Sequence, residues 1–152
     1  MIEIFTDGAC QPNPGRGGYG VILRKGDYTK ELSGGYKLST NNRMELLAVI
    51  VGIESLKVKT EPVWVYSDSK YVVDSINKGW VFNWAKDTEF KGKKNRDLWK
   101  RFLAIYDTFP PHTVKFHWVK GHAGHTENER CDELAVSGAN ISKPLIDEGY
   151  KK

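Results

Sequence analysis

The sequence predicts an α/β fold: one five-stranded mixed sheet, three antiparallel strands and then parallel ones, flanked by helices on both faces. Three observations predict it. The N-terminal segment alternates polar and apolar residues between short turns, the mark of antiparallel strands. From Asn41 the period changes to that of a helix, and the next run, PVWVYSD, is continuously apolar, as in a strand buried on both faces of a parallel sheet. Strand and helix patterns then alternate, which implies right-handed crossovers that place the later strands beside the first.

MIEIFTD alternates and opens the sheet. GGYGVILR follows, closed by a hairpin turn at Lys25-Gly26-Asp27, and KELSGGYKL returns beside it. Gly15, Gly17 and Gly20 satisfy G-x-G-x-x-G, but that fingerprint holds a pyrophosphate only where it joins a strand to a helix N-terminus. After Gly20 comes VILRKGDY, a strand and a turn, so dinucleotide binding fails on context; the glycines let a strand bend and pair closely.

NNRMELLAVIVGIESL, from Asn41 to Leu56, is apolar nearly all round and suits a helix packed hard against a sheet. PVWVYSD is the fourth strand, SKYVVDSINKG begins a helix, and DTEFKGKKN has the charge and glycine of a surface loop. A helix from about Arg96 to Thr108 stops at Pro110-Pro111. TVKFHWV alternates as the fifth strand and KGHAGH is a glycine-rich loop. Thr126 and Glu129 form a capping box that starts a last helix to about Gly138. Residues 1–140 are expected to form one domain, with 141–152, ISKPLIDEGYKK, as a loosely held tail.

Cys10 and Cys131 lie far apart and form no C-x-x-C, so neither a disulfide framework nor a zinc site is suggested. The chain shows no signal-peptide progression and no apolar run long enough to span a bilayer, so a cytoplasmic protein without membrane attachment is expected. The net charge of +4 is unevenly placed: Lys78 to Arg101 holds eight Lys/Arg against three acids. Such a basic segment, with Trp80, Phe82, Trp84, Phe90 and Trp99 interleaved, is the footprint of a polyanion-binding arm. Trp99, spaced with Phe102 and Leu103, reads instead as the core side of an amphipathic helix.

The acids carry the chemistry. Asp7 ends the first strand and Asp68 the fourth, so both stand at one sheet edge if those strands are parallel neighbours, and that edge is where ligands gather. Glu45 interrupts an apolar helix and needs a partner. A structural role fits equally: Asn42 as N-cap with Glu45 makes a capping box, and Asp68 is placed to cap the helix beginning at Ser69. Asp132, one turn after Asn128, projects from the flank of the core face formed by Cys131, Leu134, Ala135 and Gly138.

Two carboxylates ~4 Å apart repel by roughly 4 kcal/mol at an effective dielectric of ~20. A cluster of four therefore makes sense around hard cations, and Mg²⁺ binds through few carboxylates while keeping room for water and phosphate oxygens. Two such ions roughly 3.5–4 Å apart suit in-line hydrolysis of a phosphodiester. Ser67 and Ser69 lack a G-x-S-x-G elbow and the cysteines lack a partner, so no other nucleophile is suggested. His122, in KGHAGH, reads either as a proton shuttle working near neutral pH or as an exposed loop histidine.

TDGAC, NNRMELLAVIVGIESL, VYSDSKYV and WVKGHAGHTENERCDELA stand in an order that resembles the type 1 ribonuclease H family (ribonuclease HI), from Ile2 to Ala139. The resemblance implies an endonuclease that cuts the RNA strand of an RNA/DNA hybrid with two Mg²⁺ ions, Mn²⁺ being a substitute, and leaves 3′-hydroxyl and 5′-phosphate ends. It implies a monomer. It assigns metal binding to Asp7, Glu45, Asp68 and Asp132, the family's loop histidine to His122, and a site-positioning asparagine to Asn128. It further implies 2′-hydroxyl contacts from Cys10, Asn13 and Glu45, a minor-groove contact from Asn42, and a DNA-strand phosphate pocket at Thr40 and Asn41. Trp80 matches the aromatic that packs on DNA sugars, and the basic segment matches the protrusion called the handle.

Three departures stand out. Lys70 replaces the glutamine of many members, trading a minor-groove contact for a cation able to bind phosphate. Pro12 occupies a position where small residues are common, and the handle is short, AKDTEFKGKK between Trp84 and Asn95. The competing classes are a hybrid-binding module without activity and a nuclease of the same fold acting on DNA.

Overall fold

The computed structural model describes residues 1–120 and 126–150. Strands β1 (Ile2–Cys10), β2 (Gly15–Lys25) and β3 (Tyr28–Ser39) form an antiparallel meander, and Gly26, at φ +58°, makes the tight turn between the last two. Then follow α1 (Asn41–Glu54), β4 (Val63–Ser67), α2 (Lys70–Asn77), α3 (Trp80–Thr88), α4 (Arg96–Tyr106), β5 (Val114–Trp118) and α5 (Thr126–Ala139). The sheet runs β3-β2-β1-β4-β5, with β4 parallel to both β1 and β5. The expected mixed sheet is borne out strand for strand.

Alternation along the strands divides the interior. Ile2, Ile4, Val21, Leu23, Val63, Val65, Val114 and Phe116 face one way and join α1 and α4 in the main core. Phe5 and Ile22 face the other way and meet Cys131 and Leu134 of α5. Helix α1 is apolar all round because it is enclosed all round, by the sheet on one side and by α4 on the other. Trp99 and Phe102 of α4 are fully buried in that core, as their spacing predicts.

The glycines of β2 serve a purpose that strand bending does not capture. A Cβ on Gly20 would lie 2.3 Å from the Cys131 carbonyl oxygen, so α5 sits directly on the strand backbone there. The Gly20 position is paired with Asp7 across the ladder, and this close seating sets the depth at which α5 approaches the Asp7 edge.

Two expectations are corrected. The segment after α3 is a turn, as its composition suggests, but Phe90 is 3% exposed and belongs to the main core, so the loop is anchored from within. Residues 141–150 are not loosely held. Lys37 donates its N–H to the Leu145 carbonyl at 2.8 Å, Leu145 donates to the Gly35 carbonyl at 2.9 Å, and Asp147 pairs with Arg43. The exposed backbone of edge strand β3 and a buried cation supply partners that no local pattern in the tail announces.

Candidate active site

Phe5 of β1 lies opposite Tyr66 of β4 in the parallel pairing, and two residues further along each chain come Asp7 and Asp68. Both acids therefore reach the same sheet edge. Helix α1 crosses β1 at Gly8, where a Cβ would lie 2.4 Å from the Glu45 backbone nitrogen. That close crossing delivers Glu45 beside Asp7, which lies inside β1 and not at its end as expected, because pairing with β2 carries the strand on to Cys10. Carboxylate oxygens of Asp7, Glu45 and Asp68 lie within 4.8 Å of one another. Asp132, carried by α5 from the opposite face, lines the same cleft of about 740 Å³.

The electrostatics of this cluster follow from its burial. Asp7 is 8% exposed. Burial first, then the charge of Asp68, with Asp132 adding, pushes the Asp7 pKa up to about 7. Burial and the charges of Asp7 and Asp68 hold Glu45 well above the usual carboxylate range. Glu45 Oε2 is buried with no hydrogen-bond partner among the described residues. Arg16 also lines the cleft, but its guanidinium donates to the carbonyls of Ala139 at 2.9 Å and Ile141 at 2.7 Å. Converging hard oxygen donors, one of them unsatisfied, fit a divalent cation of the Mg²⁺ or Mn²⁺ type.

The capping roles considered for two of these acids are overturned. The N-cap of α1 is Thr40, whose Oγ1 accepts from the Arg43 N–H at 3.2 Å, so Asn42 and Glu45 form no capping box. The N-cap of α2 is Ser69, whose Oγ accepts from the Val72 N–H at 3.2 Å, not Asp68. In each case a hydroxyl at the residue just before the helix accepts the first-turn N–H, while Asn42 already lies inside α1 and Asp68 stands one residue too early for α2, which leaves the carboxylates to the cleft. Thr126 is the first residue of α5, and the residues just before it, 121–125, lie outside the described ones.

The other residues singled out by sequence divide into groups. Cys10, Asn41 and Asn42 line the carboxylate cleft. The Cys10 side chain is turned inward onto the carbonyls of Ser39 at 3.3 Å and of Pro12 and Gly15 at 3.4 Å, leaving little of it for a ligand. Asn13 accepts the Asn41 N–H at 3.1 Å and, with Thr40 and Asn42, lines an adjoining cleft of about 590 Å³. Asn42 borders both. Lys70 opens α2, and its Nζ lies 4.7 Å from the Trp118 ring centroid. Trp80 opens α3, 42% exposed, and Asn128 lies in α5 one turn before Asp132; neither lines the carboxylate cleft. His122 lies outside the described residues.

Two functional neighbours escaped the sequence reading. Arg43, a second charge in the apolar α1, lines the adjoining cleft, and its presence one residue before Met44 was the available signal. Trp118 touches the Asp68 backbone and Lys70, a relation between β5 and the β4–α2 turn that no local signal reveals.

Residues 1–140 match the RNase H family model. A ribonuclease H of Desulforamulus reducens is 54% identical over 142 residues, covering 91% of this chain and 87% of that protein. A ribonuclease H of Yersinia pestis is 53% identical over 155 residues, covering 99% and 96%. Among solved structures, a type 1 RNase H with a type 2 active-site motif superposes with a TM-score of 0.76 at 31% identity, covering 91% of this chain and 71% of that one. RNase H1 of the halophilic archaeon Halobacterium salinarum shares the fold, with a TM-score of 0.68 at 23% identity over 90% of this chain and 96% of its own. Sequence and architecture agree: the chain belongs to the ribonuclease H family of metal-dependent endoribonucleases.

Proposed function

We propose that this protein hydrolyses the RNA strand of RNA/DNA hybrids endonucleolytically, with two Mg²⁺ ions held by Asp7, Glu45, Asp68 and Asp132, and leaves 3′-hydroxyl and 5′-phosphate ends. The observation that carries the reading is the approach of Asp7, Glu45 and Asp68 to within 4.8 Å on a cleft that Asp132 also lines. When bound, such ions supply Lewis acidity and neutralising charge at the attacked phosphodiester, a role Mn²⁺ also fills.

The chain's own groups do the rest. Asp7 and Glu45, whose protons are retained by burial and mutual repulsion, release them on loading of the site. Asp7 is kept oriented by the Gly8 N–H, which donates to its Oδ1 at 2.9 Å. His122 acts as the proton shuttle, and Asn128 helps to orient the Asp132 side. Cys10, Asn13 and Glu45 read the 2′-hydroxyls that distinguish RNA from DNA, Cys10 through its backbone, and Asn42 makes a minor-groove contact. Thr40 and Asn41 hold a phosphate of the DNA strand, supported by the adjoining cleft at the N-terminus of α1. Trp80 and the basic segment pack and steer the DNA strand.

The protein is read as a cytoplasmic monomer whose partner is the hybrid, with 1–140 as the catalytic domain and 141–152 as its tail. No helix among the described residues is long and apolar enough to cross a membrane. The deciding experiment is a gel assay of end-labelled RNA annealed to DNA, with Mg²⁺ or EDTA, beside matched RNA/RNA and DNA/DNA duplexes. Metal-dependent cutting of RNA in the hybrid alone supports the reading. Binding without cutting, or cutting of DNA/DNA, overturns it.

A further inference from the structure

Trp118 closes β5 opposite Ser67 of β4, and 43% of its surface is exposed. Its indole N–H donates to the backbone carbonyl of Asp68 at 3.1 Å, and its ring carries the Lys70 ammonium 4.7 Å from the centroid. One side chain therefore touches both the residue that bears a carboxylate of the cluster and the cation two positions later.

The turn they share is held at several points. The Val119 N–H donates to the Ser67 carbonyl at 2.9 Å, the Ser69 N–H to Ser67 Oγ at 3.1 Å, and Ser69 caps α2. The Lys70 backbone is fixed by this turn and its side-chain end by the indole face. Among the described residues no carboxylate forms an ion pair with Lys70. Its charge stays available two residues from Asp68, which belongs to a cluster whose own acids repel phosphates.

We propose that Trp118 is a positioning residue for Lys70, and that Lys70 so held binds a backbone phosphate of the nucleic-acid strand lying in the carboxylate cleft. The proposal rests on the hybrid-cutting reading above. A lysine is a compact point charge that binds phosphate without demanding a planar, two-pronged geometry. Free in solution its flexible stem would spread that charge over a wide volume; held against an aromatic face it presents the charge at one place.

The test is steady-state cleavage of a short RNA/DNA hybrid in Mg²⁺ across a KCl series, with the intact protein and the variants Lys70→Gln, Lys70→Arg, Trp118→Leu, Trp118→Phe and the Lys70→Gln/Trp118→Leu pair. Lys70→Gln and Trp118→Leu are each expected to raise KM about 3- to 10-fold with kcat within about twofold, and to flatten the slope of log(kcat/KM) against log[KCl] by roughly 0.7–0.9, one phosphate contact. The double variant should be no worse than the singles, Lys70→Arg should restore KM, and Trp118→Phe, which keeps a ring face but loses the indole N–H to Asp68, should fall between the parent and Trp118→Leu. If Trp118→Leu fails to fold, the Lys70 variants and Trp118→Phe still decide. Unchanged KM and salt slope in Lys70→Gln, or effects that multiply in the double variant, overturn the proposal while a cutting parent leaves the functional reading intact. A parent that does not cut hybrid RNA overturns both.

Discussion

Arg43 and Asp147, 104 positions apart in the chain, form a two-pronged ion pair: Arg43 Nε to Asp147 Oδ2 at 2.7 Å and Nη2 to Oδ1 at 2.9 Å. The Arg43 side chain is 3% exposed and also grips Asp97, with Nη1 to Oδ1 at 2.8 Å and Nη2 to Oδ2 at 2.6 Å. Burial opposes the Arg43 charge, and the two carboxylates outweigh that cost and hold its pKa above the ordinary value. Ser39 Oγ donates to Asp147 as well, at 2.6 Å. The pair ties the tail to the N-terminal turn of α1, one turn from the residues proposed to hold a DNA phosphate.

Replacing Asp147 with Ala leaves Arg43 with Asp97 as its one carboxylate and a long bond to Asn95 Oδ1 at 3.4 Å. The expected loss is about 1.5–3 kcal/mol, the range for hydrogen bonds to a charged group. Urea denaturation with a lowered midpoint and an unchanged slope checks it. An unshifted midpoint would mean that Asp97 and Asn95 satisfy the guanidinium.

The acid cluster makes the metal-free protein less stable as pH rises. The Asp7 pKa is raised from 3.8 to about 7 and that of Glu45 is raised too, so between those limits the native state keeps protons that the unfolded chain releases. Stability contributed by this protonation is complete below about pH 4 and is lost as pH climbs through about 7. Melting temperatures in EDTA should fall across that window, on top of the titration of other groups. Asp7→Asn should make the fall shallower; an identical pH profile for the variant would show that the cluster is not its source.

Divalent cations act in the opposite direction. Mg²⁺ at millimolar concentration should raise the melting temperature of the parent near pH 8, because it binds the native cluster and not the unfolded chain. Asp7→Asn should show a smaller rise, yet equal or exceed the parent in EDTA, since one repelling charge is gone. Its cleavage rate should drop by no less than the ~10–100-fold typical of losing the outer partner of a ligand. Parent-like cutting by Asp7→Asn would remove this acid from the chemistry.

Gly20→Ala tests the seating of α5. The added methyl would sit 2.3 Å from the Cys131 carbonyl oxygen, so helix and strand must separate. Overpacking of this kind costs typically 1–3 kcal/mol. Because α5 carries Asp132 one residue after Cys131, cleavage should fall even at temperatures where the variant stays folded. Differential calorimetry together with the hybrid assay separates the two effects, and parent-like values in both would place the α5 contact elsewhere.

The strands, the change to helical period at Asn41 and the placing of Asp68 just past the end of β4 were legible in the sequence, because each depends on alternation or periodicity over a few neighbouring residues, whereas the run of β1 beyond Asp7 to Cys10 was not. Nor was the choice of caps. Thr40 and Asn42, or Asp68 and Ser69, are nearby candidate caps that imply different helix starts, and only the path of the chain into each helix decides between them. Phe90 in a segment that otherwise reads as loop, Asp147 against Arg43 and Trp118 against Asp68 and Lys70 are partnerships across long stretches of chain. By itself the sequence determined which residues bear charge, apolar surface and period. Tertiary structure decided which of them meet, because burial of a charge or a ring is favourable only where the folded chain brings its partner.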